Sequence, residues 1–274
     1  MKAEVLSGKA AIVTGAASGI AKSIALAFAE EGASVTLVDI DAAGLARTAQ
    51  AIEAAGGRSL TQVCDVGVRA QVDQAVAATA DAFGTVDILV NCAFANPAFH
   101  KSFVEQTERD LKANLDSSFM GTWNFMQAAY PFLARRGGKV INFVSAAYTE
   151  GQPGMAAYAA AKGAVAGLMN VACLEWGPLG INVNCISPVI HTEAYDEFLK
   201  TAPPGAHEAY LAQNPMRRLG HPYKDAARVA VFLAGPDSDS HAGSGSGVES
   251  GTVVVGRSSP PASGSGLGGG AGCR

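Results

Sequence analysis

The 274-residue sequence predicts an α/β fold, a doubly wound parallel sheet of about seven strands with helices on both faces. Three observations predict it. Short apolar runs alternate with segments whose apolar residues recur at helical spacing, as parallel strands joined by crossover helices require. The first strand opens through a glycine-containing turn directly into a helix. A chain of this length, 49% hydrophobic and 16% charged, can bury a full core as one large domain, placed at residues 1–256.

Lys9–Val13 is the first strand, followed by Thr14-Gly15-Ala16-Ala17-Ser18-Gly19-Ile20-Ala21 and a helix with Ile20, Ile24, Ala27 and Phe28 on one face. Gly15 permits a tight turn, and Gly19 lets the backbone approach a pyrophosphate held by amides at the helix's positive end. The second strand, Ser34–Asp39, ends in an acid twenty residues after Gly19, where a carboxylate can accept hydrogen bonds from the adenosine ribose. The same carboxylate repels the extra phosphate of NADP, and Ser18 and Ile40 offer that phosphate no cation, so the sequence reads as NAD-binding. A plain glycine turn and an acid that merely begins the next helix are simpler readings, and they explain less.

A helix over about 41–55, a strand over about 59–64, Asp65-Val66 and a helix ending near Phe83 continue the alternation. Val86–Asn91 is the fourth strand. Val104, Leu111, Leu115, Phe119, Trp123 and Met126 predict one long helix running to about Leu133. Lys139–Val144 reads as a strand buried on both faces, so Ser145 emerges at its carboxyl end, the edge where open α/β sheets bind ligands. The next helix, about Ala156–Trp176, carries Tyr158 and Lys162 one turn apart on one face. A tyrosine titrates near pH ~10, so acid–base work at neutral pH calls for a positive charge beside its phenolate, which Lys162 is placed to supply. Any helix can carry Tyr-x-x-x-Lys; the loop upstream and the strand-end serine give the pair its weight.

Ile181–Ile186 is the next strand, leading into Ser187–Thr192. Over residues 193–221 the pattern breaks, with Tyr195, Phe198, Tyr210 and Met216 among prolines and short helical pieces, which suits a lid over the sheet edge. A helix over about 223–233 and a last strand, Gly251–Val255, complete the sheet. Residues 235–250 read as a glycine- and serine-rich loop, and residues 257–274 as a disordered low-complexity tail.

A net charge of −4, with Arg135-Arg136 and Arg217-Arg218 the only basic doublets, gives no footprint for nucleic acid. The amino terminus lacks a signal core, and no apolar stretch approaches the ~20 residues that cross a bilayer, so no membrane association and a cytoplasmic location are expected. Cys64, Cys92, Cys173, Cys185 and Cys273 form no Cys-x-x-Cys and read as reduced core thiols. The scattered histidines predict no metal.

With the loop, Asp39, Ser145 and the Tyr158/Lys162 helix in place, the chain resembles the short-chain dehydrogenase/reductase family in its compact single-domain form, from about Leu6 to Gly256. Residues Thr14–Ile20 look like its nucleotide loop, Asp65-Val66 like its adenine-contacting pair, and Asn91-Cys92-Ala93 like the segment after its fourth strand. Asn114, Ser145, Tyr158 and Lys162 match its catalytic asparagine, serine, tyrosine and lysine. The resemblance implies a Rossmann-type fold and hydride transfer between a nicotinamide and a small alcohol or ketone. Tyr158 would move the proton, Ser145 hold the substrate oxygen, Lys162 lower the tyrosine's pKa and bond the nicotinamide ribose, and Asn114 hold a water. Gly15, Ser18, Gly19, Ile20, Asp39, Asp65, Val66, Asn91, Tyr158, Lys162, Pro188 and Thr192 would line the NAD site. A homo-oligomer, dimer or tetramer, would pair the helices that start near Val104 and Ala156.

Three positions depart from the family's glycines: Ala21, Phe94 and Val189, each expected to put bulk beside the cofactor path. Phe94, Pro97, Phe99, Tyr148 and Met155 lie in loops expected to face an apolar substrate, Ser145 and Tyr158 contacting it as well. The competing readings are a cofactor-binding sensor or scaffold without turnover, which the replaced glycines favour, and a lyase or epimerase on the same fold, which Lys162 disfavours.

Overall fold

The computed structural model describes residues 4–95, 101–243, 245–249 and 252–254. Its strands are β1 (Ala10–Thr14), β2 (Ser34–Asp39), β3 (Arg58–Val63), β4 (Ile88–Asn91), β5 (Gly138–Phe143), β6 (Ile181–Pro188), β7 (Gly245–Glu249) and β8 (Thr252–Val254). They form one sheet in the order β3-β2-β1-β4-β5-β6-β7-β8, parallel throughout except that β8 runs antiparallel to β7. The chain steps outward from β1 to β3 and returns to place β4 on the other side of β1. A crevice therefore opens above the carboxyl ends of β1 and β4, where ligands bind in such sheets.

The helices described are α1 (Gly19–Glu30), α2 (Ala42–Ala54), α3 (Arg69–Phe83), α4 (Glu108–Asn114), α5 (Gly121–Arg136), α6 (Ala156–Trp176), α7 (Glu193–Thr201), α8 (Ala206–Gln213) and α9 (Arg228–Ala234). Strand side chains alternate between two cores, as a period of two demands. Ala11, Val13, Ile88 and Val90 pack with Ile24 and Phe28 of α1, Ile52 of α2 and Val231 of α9. Ile12, Leu89 and Val140 pack on the opposite face with Val76 of α3, Phe125 of α5 and Val165 and Met169 of α6. This is the doubly wound, Rossmann-type architecture.

The long helix expected from Val104 is composite. Val104 sits in a single 3₁₀ turn and is 88% exposed. The helix begins after Thr107, whose hydroxyl accepts from the Asp110 amide while the Asp110 carboxylate accepts from the Thr107 amide. That reciprocal cap closes the helix start and stops it extending back to Val104. A π-helical turn over Leu115–Met120 then joins α4 to α5.

The loop expected over residues 235–250 contains β7, a strand the sequence hides because glycine and serine give it no apolar alternation. Part of the last expected strand is β8; the rest, and residues 257–274, lie outside the described residues. The segment Ala156–Leu179 corrects the reading of apolar stretches: by length and composition, with a mean hydropathy of 1.3, it could cross a membrane. Here α6 packs one face into the core, while Val171 and Leu174 on its other face are exposed.

Candidate active site

Gly15, directly after β1, takes φ 78°, and a Cβ there would stand 3.1 Å from Ala93 Cα, so only glycine lets the loop after β4 close against the turn. Gly19 opens α1 with φ 58°. Ser18 holds the N-cap position without a capping bond from its side chain, leaving the first-turn amides of α1 free of that partner. At the end of β2 the Asp39 carboxylate accepts from the Ala17 amide at 3.1 Å and from the Asp41 amide at 3.1 Å, which fixes it beside the turn.

Two cavities flank this turn. The first, about 360 Å³, is lined by Gly15, Asp39, Asp65, Val66, Ala93 and Phe94 among others, and among the described residues no lysine or arginine lines it. The second, about 170 Å³, is lined by Ile20, Phe94, Tyr158, Lys162, Pro188 and Thr192, with Tyr195 and Phe198 of α7 on its outer side.

Ser145 stands close enough to the Tyr158 phenol to act on its ionisation, while its Oγ accepts from the Ala147 amide at 3.2 Å, so the strand-end serine and the helix tyrosine are neighbours. Burial pushes the phenol up to about 12, with the neighbouring Ser145 hydroxyl pulling the other way. The expected lowering by Lys162 is not seen. The Lys162 ammonium donates to the Phe143 carbonyl at 2.9 Å and lies 5.7 Å from the centre of the Tyr158 ring. Burial lowers Lys162 itself to about 8, against the opposing influence of the Cys92 and Cys185 thiols. Desolvation is thus the largest influence on both groups.

Asn114 ends α4, fully buried, donating from Nδ2 to the Asp110 carbonyl at 3.0 Å, and lines neither cavity. Asn91 also lines neither; its Nδ2 donates to Asn142 Oδ1 at 2.9 Å. Thr192 faces the smaller cavity and caps α7, its hydroxyl accepting from the Tyr195 amide at 3.3 Å. The base of the segment expected to be a lid is pinned where the Gly220 amide donates to Val189 at 2.9 Å and the His191 amide donates to Gly220 at 3.0 Å.

Of the residues expected to face substrate, Phe94 does line the smaller cavity, whereas Tyr148 and Met155 do not. Tyr148 instead lies against Gly163 on the exposed side of α6. Pro97 and Phe99 lie outside the described residues.

The three replaced glycines separate by direction. Ala21 is 2% exposed, packs into the core with Ile24 and lines neither cavity. Val189 lines neither cavity. Phe94 alone stands in the path, its ring 5.8 Å from that of Tyr158 and 5.6 Å from Lys162 Nζ. Sequence reasoning missed Cys92, which was expected to be core and instead lines the smaller cavity, its thiol pushed up to about 12 by burial. Only its place directly after Asn91 at a strand end could have signalled this.

The adenosine half of a dinucleotide fits what is present: a tight glycine turn, uncapped amides at the start of α1, and a fixed carboxylate beside a cavity without cations.

Residues 15–252 match the family described as enoyl-(acyl carrier protein) reductase. The chain is 37% identical over 235 residues to (2S)-[(R)-hydroxy(phenyl)methyl]succinyl-CoA dehydrogenase subunit BbsD of Thauera aromatica, covering 85% of this chain and 92% of that one. It is 36% identical over 240 residues to a 12α-hydroxysteroid dehydrogenase of a Clostridium species, with 85% and 92% covered. Among solved structures, a 7α-hydroxysteroid dehydrogenase complexed with NADH and 7-oxo glycochenodeoxycholic acid superposes with a TM-score of 0.84 at 30% identity, covering 93% of this chain and 98% of that one. NAD⁺-bound xylitol dehydrogenase gives 0.82 at 28% identity, with 87% and 96% covered.

Proposed function

Because the chain belongs to the short-chain dehydrogenase/reductase family and is an oxidoreductase of that family, we propose that it interconverts a secondary alcohol and a ketone with NAD as cofactor. The observation that carries this reading is the junction of Tyr158, Ser145 and Lys162 beside an apolar cavity that adjoins the Asp39 crevice. Bound NAD would accept or supply the hydride.

The chain's own residues handle the proton and the oxygen. Tyr158 is a protonated phenol at neutral pH, able to give its proton to a carbonyl oxygen during reduction; oxidation requires the phenolate to take that proton from the alcohol. The Ser145 hydroxyl holds the reacting oxygen. Lys162, charged at neutral pH, places a positive charge behind the phenol and favours its ionised form once the site is closed to water. Asp39 supports NAD over NADP, because it presents acceptors to ribose hydroxyls in a cavity where the described residues supply no cation for a phosphate.

The aromatic wall of Phe94, Tyr195 and Phe198 supports a largely apolar substrate. Exposed Phe103, Val104, Val171 and Leu174 support a homodimer built on α4–α6. The test is to incubate the protein with NAD or NADP and a panel of secondary alcohols and diols while following the absorbance of the reduced nicotinamide. NAD reduction with some member of the panel is expected. Binding of NAD with no turnover across a broad panel would favour the sensor reading instead.

A further inference from the structure

We infer that Phe94 is a side-chain gate which, closed, divides the dinucleotide groove in two and must swing aside before the nicotinamide half can reach Tyr158. The inference rests on the dinucleotide reading above. Among the described residues Phe94 is the only one that lines both cavities, the crevice at Asp39 and the pocket at Tyr158. Any ligand with one end at Asp39 and the other at Tyr158 has to pass it.

The closed position is held by contacts to the catalytic pair. The ring packs tilted against Tyr158 at 5.8 Å, and the Lys162 ammonium lies 5.6 Å from its centre. The ring therefore stands beside the Tyr158 ring and over the Lys162 ammonium, on the side from which a ribose or a substrate oxygen would come.

The backbone around Phe94 is fastened, so the movement belongs to the side chain. The Cys92 and Ala93 amides donate to the Thr14 hydroxyl at 3.0 and 3.1 Å, and the Ala95 amide donates to the Ser117 hydroxyl at 2.9 Å. Ala93 is further held against Gly15, where no Cβ fits without displacement. Phe94 is 42% exposed, so its side chain has solvent to rotate into without repacking the core. Adenosine binding at Asp39 needs no such rotation. The two halves of the cofactor thus bind by different rules: the first to a formed crevice, the second only to the open fraction of the protein.

The experiment compares the wild type, Phe94→Ala and Phe94→Leu for binding of AMP, which needs only the Asp39 crevice, and of NADH, by calorimetry and stopped-flow nicotinamide fluorescence. Phe94→Ala is expected to bind NADH about tenfold more tightly with AMP affinity within twofold of wild type. Phe94→Leu, which keeps bulk but loses the ring contacts, should fall between them. Because an exposed ring turns far faster than ligand binds, the NADH association rate should rise linearly with concentration in both proteins, with a slope about tenfold lower in the wild type than in Phe94→Ala. Unchanged or weaker NADH binding by Phe94→Ala, with normal AMP binding, would overturn the gate alone. Failure of AMP to bind the wild type would overturn the dinucleotide reading and the gate with it.

Discussion

The Lys162→Met substitution should make the ligand-free protein's stability respond differently to pH, because Lys162 is ionised in an environment that penalises its charge. Burial lowers its pKa from 10.5 to about 8, and at ~1.4 kcal/mol per pH unit that interval corresponds to a folding penalty of ~3 kcal/mol. The sign follows from proton counting. Below pH ~8 both states hold the proton and the penalty is full; between ~8 and ~10.5 the unfolded chain binds more protons than the folded one, so stability rises with pH. From pH ~7 to ~9.5 the wild type should gain roughly 2 kcal/mol relative to Lys162→Met, while the raised Cys92 and Cys185 thiols lower the stability of both proteins alike. The substitution also strips the Phe143 carbonyl of its donor, but that loss does not depend on pH and cancels in the comparison. Tyr158 lies outside the window, since its raised value of about 12 withdraws stability only above the ordinary tyrosine range near ~10. Urea unfolding of both proteins at the two pH values measures the difference. Curves that stay parallel within ~0.5 kcal/mol would refute the buried, depressed lysine.

Tyr158→Phe should lower turnover by ~10²–10⁴ while NADH binding stays close to wild type, since it removes only the hydroxyl; retention of more than about a tenth of activity would exclude Tyr158 as the acid–base. Ser145→Ala should lower kcat by ~10²–10³, the usual cost of one donor to a reacting oxygen, measured by steady-state kinetics. Asp39→Ala should narrow the preference for NAD over NADP by ~1–3 kcal/mol in calorimetry, and equal wild-type affinities would sink the NAD assignment. Light scattering should give a dimer that Leu174→Glu dissociates, because Leu174 is 77% exposed on α6 and a charge there is stranded in an apolar interface; a wild-type monomer at micromolar concentration would contradict the proposal.

The sheet was legible because each central strand is an apolar run set between helices of clear period, and α6 begins and ends where the sequence places it, at Ala156 and Trp176. Where the sequence misled, a local interaction outweighed periodicity. The apolar spacing from Val104 onward is continuous, yet the Thr107–Asp110 cap terminates the helix, and the extra residue of the π turn resets the face that α5 presents to the core. At β7 the reverse holds: Gly245–Glu249 has no apolar pattern to read, and its pairing with β6 comes from the free edge that β6 offers.

In the site, residue types were legible and directions were not. A glycine replaced by a larger residue announces only that bulk has been added. Whether it enters the groove depends on which side of the backbone the Cβ leaves, and a strand end, a helix turn and a loop settle that differently. Ala21 sits one helical position past Ile20, on the face that also carries Ile24, so its methyl joins the core. Phe94 follows a strand end whose backbone is tied to Thr14, and its ring is directed over Tyr158 and Lys162. The same limit explains the tyrosine. Helical spacing put Lys162 one turn from Tyr158, but spacing carries no information about dielectric, and the buried strand end that gathers the pair also removes the water that would keep both near their ordinary pKa values. A charge brought into this cavity therefore acts on the phenol more strongly than it would in water, which is why the gate at Phe94, by deciding what reaches Lys162, also governs the acid–base group beside it.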